Sequence, residues 1–277
     1  MINRGFIQRS LISAADLLKN SLFSQEYAAG KLFMQSLDPR IKVLTFILFI
    51  LLAILTKSVV TLLSLYLFCL LLVSVSGIGL DFFLKRTWLF IPLFSFFIVL
   101  PALFSNFSPG EILFSFNLFK ARLAITRQGL DGAILFVLRV ATCVSFVVLL
   151  NLTTKHGALL KVLRVFKVPY VFVMTLGICY RYVFLFIQVI ENTYLAIKSR
   201  VGTLIHYKSG QCIVAWNVAS LWQRSYQLNE DVYNAMLSRG YSQEPVLLYD
   251  FKVKFLDWLW LSFAVFVFIA GVYFLNA

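Results

Sequence analysis

Apolar runs of membrane-spanning length alternate with short polar breaks along most of the chain, and one long amphipathic stretch interrupts them. A helix needs about 20 mostly apolar residues to cross the hydrocarbon core. The candidates are Ile41–Thr56, Val59–Ser76, Trp88–Ser105, Ala133–Leu152, Val171–Ile190 and Phe255–Leu275. Lys57-Ser58 forms a tight tip between the first two, and Pro92 and Pro101 bend or interrupt the third, as membrane helices tolerate when neighbours satisfy the freed carbonyls. The pattern predicts an all-α polytopic membrane bundle.

Composition agrees. Hydrophobic residues make up 61% of the 277 and charged ones 13%, with a mean hydropathy of +0.87, far from a soluble domain. The net charge of +13 raises nucleic acid as a partner, but the basic residues fall between spans, where they orient a membrane protein. Nucleic-acid binding is therefore not expected. Arg4, Arg9, Asp16, Lys19 and Glu26 break the first 30 residues, so no cleavable signal peptide is expected. Cys69, Cys143, Cys179 and Cys212 are scattered and form neither a disulfide framework nor a zinc pattern.

Charge decides how Val171–Ile190 is read. With the N-terminus in the cytoplasm and this run kept out of the bilayer, twenty of the 25 basic residues lie inside, twelve of them from Lys155 to Lys254. Were it to cross, seven basic residues between Lys198 and Lys254 would face outward, against the positive-inside bias. Arg181 near its middle would also cost about 2.5–3.5 kcal/mol in mid-bilayer. The expected organisation is a cytoplasmic segment 1–40, a four-span bundle 41–152, a cytoplasmic region 153–254 and a last span 255–277. Five crossings leave the C-terminus outside.

Within the cytoplasmic region, Pro169 opens a helix that runs from Val171 to Arg200, closed by Gly202 and a Lys208-Ser209-Gly210 turn. A second helix is predicted from Gln211 to Arg239, with Gly240 as its stop. Val214, Val218, Leu221, Ser225, Leu228, Val232, Ala235 and Arg239 recur at three- and four-residue steps as one packing stripe. Two tracts stand out: Ala196-Ile197-Lys198-Ser199-Arg200-Val201-Gly202 and Ala235-Met236-Leu237-Ser238-Arg239-Gly240-Tyr241. Each puts an arginine at a helix end. A lone arginine there caps the negative end of its helix, worth about 0.3–1 kcal/mol. The repetition on paired helices points instead to docking into two acidic grooves on a soluble partner.

Other chemistry has little to stand on. A permease binding its own ion needs carboxylates, histidines or thiolates converging within the spans, yet those offer Cys69 and Cys143, while His156 and His206 fall in the cytoplasmic region. A membrane enzyme needs paired carboxylates, a catalytic set or a phosphate loop. The acidic residues are spread singly apart from Glu230-Asp231, and no GxxxxGK[ST] occurs. No cofactor, metal site or catalytic residue is expected.

Several segments carry a family resemblance: Ser36-Leu37-Asp38-Pro39-Arg40-Ile41-Lys42, the Tyr180-Arg181-Tyr182 segment, and Gln223-Arg224-Ser225-Tyr226 followed by Val232 through Tyr241. Nearly the whole chain resembles the T component (EcfT) of energy-coupling factor ABC transporters, above all its cobalt-transport CbiQ branch. The resemblance implies a non-catalytic coupling subunit of a multi-pass cell-membrane complex. Two separate ABC ATPase subunits hydrolyse ATP, and a separate membrane subunit binds the cargo: Co²⁺ first, with Ni²⁺ or a vitamin as alternatives to it and a stand-alone permease as the remaining one. It also implies that Ser199-Arg200-Val201 and Ser238-Arg239-Gly240 are the two docking motifs, each arginine entering one ATPase. Val201 departs from the family's glycine, with Gly202 one step later, and Gln227 stands where the cobalt branch often has glutamate.

Overall fold

A carboxylate and a proline start the first long helix. Asp38 is the N-cap of α2 (Pro39–Leu55) and its side chain accepts from the Arg40 N–H at 2.9 Å, with Pro39 in the first turn where no donor is lost. The computed structural model describes residues 30, 32–88, 91–99, 112–118, 121–201, 207–241 and 253–276. The chain divides into a membrane unit, residues 24–162 with 251–277, and a second unit, residues 1–23 with 163–250.

The membrane unit holds α1 (Phe33–Ser36), α2, α3 (Val59–Val75), α4 (Leu80–Trp88), α5 (Ile91–Val99), strands β1 (Ile112–Leu118) and β2 (Ala121–Thr126), α6 (Arg127–Thr153) and the last helix, α10 (Phe255–Asn276). α6 packs against α2, α3, α4 and α5, and α10 lies against α2. Their shared core contains Phe46, Phe49, Leu62, Phe146, Leu149 and Ala264, with Phe49 stacked on Phe146 at 5.4 Å between centroids. A Cβ on Gly271 would come within 2.6 Å of the Leu52 side chain, so the α10–α2 seam depends on a missing side chain. Ile47, Leu51, Leu67, Leu71 and Phe266 point outward, the surface lipid wants. Thr142, Ser145 and Thr153 return their hydroxyls to carbonyls four residues back, which satisfies polar atoms that lipid cannot.

α3 ends in a Schellman turn. Gly77 adopts a φ of +65°, while the Ile78 N–H reaches the Val73 carbonyl and the Gly77 N–H that of Ser74. The second unit holds α8 (Tyr170–Val201) and α9 (Tyr207–Ser238), while α7 (His156–Val165) carries the chain from one unit into the other.

The all-α membrane bundle stands, with the antiparallel ribbon β1–β2 added before α6. The hairpin tip at Lys57-Ser58 and the single helix from Tyr170 through Arg200 match expectation. Other boundaries move. Trp88 belongs to α4, and the third run is divided, with only α5 described as helix within it. At nine residues, about 13.5 Å, α5 alone is short of a crossing. The Lys208-Ser209-Gly210 turn is instead the first turn of α9, where a glycine costs a helix only about 1 kcal/mol. Gly202, His206, Pro101 and the first 29 residues lie outside the described ones. By length and apolar content Arg127–Thr153, Tyr170–Ile197 and Phe255–Tyr273 could each cross a membrane. The expectation that the second of these stays out rests on charge.

Candidate functional site

The end of α9 is fully determined by its hydrogen bonds. Arg239 is the residue after the last helical one, Gly240 takes φ +73°, the Gly240 N–H donates to Leu237 O at 3.0 Å, and the Tyr241 N–H donates to Met236 O at 3.0 Å. That is a second Schellman turn, with Gly240 at the position needing a left-handed backbone. Ser238 Oγ folds back onto the Asn234 carbonyl, so the motif's serine serves the helix and leaves the arginine outward. Arg239 is exposed.

α8 carries its arginine one residue before its last. Ser199 Oγ donates to the Ala196 carbonyl at 2.9 Å, the same local return, and Ser199 and Arg200 are exposed. Val201 closes the helix, and Gly202 falls outside the described residues. Among the described residues neither guanidinium has a hydrogen-bond or ionic partner.

The two helices run antiparallel. Tyr170 Oη, at the start of α8, lies 3.4 Å from Tyr241 Oη, just past the end of α9, and Arg164 stacks over the Tyr170 ring at 5.3 Å. Arg239 therefore sits near the start of α8, while Arg200 sits at its far end, about 45 Å away along the helix. The sequence motifs are brought to opposite ends of one helical pair, so they cannot form a joint site.

Between them lies an open groove of about 660 Å³, lined by Ile178, Tyr182 and Phe186 from α8 and Trp222, Tyr226 and Met236 from α9. No described side chain on either helix is buried, and Trp222 is 80% exposed. The packing stripe expected on α9 is partly corrected. Leu221, Leu228 and Val232 do turn inward, but Val214, Val218, Ser225, Ala235 and Arg239 are exposed, and Ile213, Asn217, Ser220 and Met236 take the sheltered positions. The face is rotated by about one residue, which places Ile213 and Met236 inside in preference to smaller neighbours and frees Arg239.

The membrane unit holds polar residues whose partners the sequence does not announce. Arg139, inside the α6 span, donates to the Thr56 carbonyl at 2.7 Å, capping the buried C-terminal end of α2 in place of solvent. Lys42 is 1% exposed and Asp257 1%. Lys42 Nζ donates to the Thr153 carbonyl at 3.1 Å, and Asp257 accepts the Asp38 and Lys254 N–H groups at 2.9 and 2.7 Å. Asp38 and Lys42 lie in the Ser36–Lys42 tract quoted above for its resemblance, while Arg139 and Asp257 stand in the sequence only as isolated charges in apolar runs. His156 is half-buried, and burial followed by the nearby Arg86 charge holds it below the ordinary histidine range, hence neutral near pH 7. Among the described residues no three His, Cys, Asp or Glu side chains gather as a metal site.

The model of the CbiQ family, described as cobalt transport protein, matches residues 30–249. An uncharacterized protein of Methanocaldococcus jannaschii is 31% identical over 96% of this chain and 91% of its own length. The energy-coupling factor transporter transmembrane protein EcfT of Bacillus subtilis is 27% identical over 81% of this chain and 86% of its own. EcfT of Streptococcus thermophilus is 36% identical over 54% of this chain, and the match spans 57% of that relative.

Proposed function

The chain belongs to the CbiQ family of cobalt transport proteins and is the transmembrane component of an energy-coupling factor transporter; from that premise we propose that it relays the motion of two separate ATPase subunits to a separate membrane subunit that binds the cargo, Co²⁺. The observation that carries this reading is the placement of Arg200 and Arg239, exposed and without a partner among the described residues, at opposite ends of an antiparallel pair. Each arginine serves one ATPase. Its planar guanidinium pairs with carboxylates through charge-assisted, bidentate bonds, and the Schellman turn behind Arg239 fixes the direction in which it projects. Helices of 32 residues, about 48 Å long, act as levers between the two contacts.

On this reading the chain is not catalytic, and the ATPases supply hydrolysis. The apolar groove between α8 and α9 accepts the cargo-binding subunit, which covers the exposed Trp222 and Tyr226. Residues 153–254 lie in the cytoplasm of a cell-membrane complex, as the twelve basic residues there favour.

Two measurements test this. Mass spectrometry of subunits co-purified with the tagged chain should find two ABC ATPases and a further membrane protein; recovery of the chain alone would reject the assembly. A cysteine placed at Lys208, with the four native cysteines replaced, should be labelled from the cytoplasmic side only. Labelling from outside would mean that Tyr170–Ile197 crosses.

A further inference from the structure

Three helix ends meet at one buried polar node in the membrane unit, and the node has a particular place along the chain. Asp257 is the third residue of α10; its Oδ2 accepts the Lys254 N–H just before that helix, and its Oδ1 accepts the N–H of Asp38, the N-cap of α2. Asp257 thus ties together the starts of α10 and α2, using its carboxylate as half of a capping box. Lys42, in the first turns of α2, reaches the carbonyl of Thr153, the last residue of α6, where a helix leaves acceptors unsatisfied and favours a cation. Asp38, Lys42, Thr153 and Asp257 are all at most 5% exposed.

The chain leaves the membrane unit after Val162 and re-enters it at Phe251. Thr153 ends α6, the last membrane-unit helix before α7 leads the chain out, and Lys254 comes just after the return. The two joints of the inserted unit are therefore fastened to the same few side chains at the start of α2.

We propose that Asp38, Lys42 and Asp257 are positioning residues that clamp both joints of the α8–α9 unit to one end of the first membrane helix, so that force arriving through either joint moves the bundle as a body. This rests on the coupling role proposed above. A slack joint would let the ATPases cycle without moving cargo. The node therefore affects the ATP consumed per cargo transported, beyond any effect on folding. Arg139 provides the contrast: a half-buried cation capping the other end of α2 through Thr56, on the same helix as Thr153 but well before its end.

The experiment uses the full complex in liposomes and measures ⁵⁷Co²⁺ uptake against ATP hydrolysed. Lys42→Met should leave the subunits assembled and raise the ATP consumed per Co²⁺ by about fivefold, within the range over which positions between coupled sites act. Arg139→Met should lower thermal stability and leave the ratio as in the parent. Asp257→Asn provides a second variant should Lys42→Met fail to fold, and Asp257→Glu should restore part of the coupling. An unchanged ratio in assembled Lys42→Met and Asp257→Asn complexes, or an equal rise in Arg139→Met, overturns the clamp. If the parent complex neither binds ATPases nor takes up Co²⁺, the proposed function fails on its own. The clamp is then decided by hydrogen exchange in the full-length chain. Asp257→Asn should speed exchange of the Asp38 and Lys254 amides about tenfold while the middle of α3 stays protected; unchanged exchange rejects the clamp.

Discussion

The membrane unit and the α8–α9 unit are both rich in apolar residues, yet they treat them in opposite ways. In the first, Phe46, Phe49, Phe146, Leu149 and Leu152 are shut away from any surface, and Lys42 and Arg139 donate to the carbonyls of Thr153 and Thr56. In the second, two 32-residue helices bring no described side chain to full burial, and Trp222, Tyr226 and Tyr233 stand open. The first is held by its own packing. The second presents an apolar groove and two guanidinium groups without a partner among the described residues, features suited to the arrival of another chain.

The contrast should break first at Phe49. Its ring is fully buried between Phe146 and Phe68, so Phe49→Ala should cost about 3–5 kcal/mol, read as a lowered unfolding midpoint of the chain in detergent. Gly271→Leu comes next. The added side chain must displace Leu52 across the α10–α2 seam, and overpacking of this kind costs about 1–3 kcal/mol in the same assay. Trp222→Ala should be the smallest effect on the isolated chain, within about 0.5 kcal/mol. The same change should weaken recovery of the cargo-binding subunit by more than about 2 kcal/mol. A large loss of chain stability from Trp222→Ala would mean that the groove is an ordinary core and the two units are alike.

Much of this was legible beforehand, for physical reasons. Long apolar runs find α2, α3, α6 and α10 because lipid demands them, and Asp38-Pro39 and Gly240 mark helix ends by local backbone chemistry alone. The arginines were legible as helix-end residues for the same reason. What stayed hidden depends on contacts between distant segments. Nothing near Lys42 in sequence announces Thr153 or Asp257, and nothing near Arg139 announces Thr56. The ribbon before α6 was lost because its short strands sit beside far stronger helical patterns. The rotated face of α9 shows the limit of a stripe read from one helix. Several near-equivalent faces exist, and bulky Ile213 and Met236 decide among them only once α8 is alongside.

The central claim, one arginine for each ATPase, is tested most directly by ATPase recovery from tagged variants of equal membrane expression. Arg200→Ala and Arg239→Ala should each weaken association by about 2–5 kcal/mol, as when one partner of a buried charge pair is removed. Arg239→Lys should rescue poorly because it lacks the planar fork. The double variant should recover no ATPase. Arg224, exposed on the same helix as Arg239 but away from its end, is the control, and Arg224→Ala should retain both ATPases. Recovery from Arg239→Ala equal to that from Arg224→Ala would contradict the account and reduce Arg239 to a helix cap.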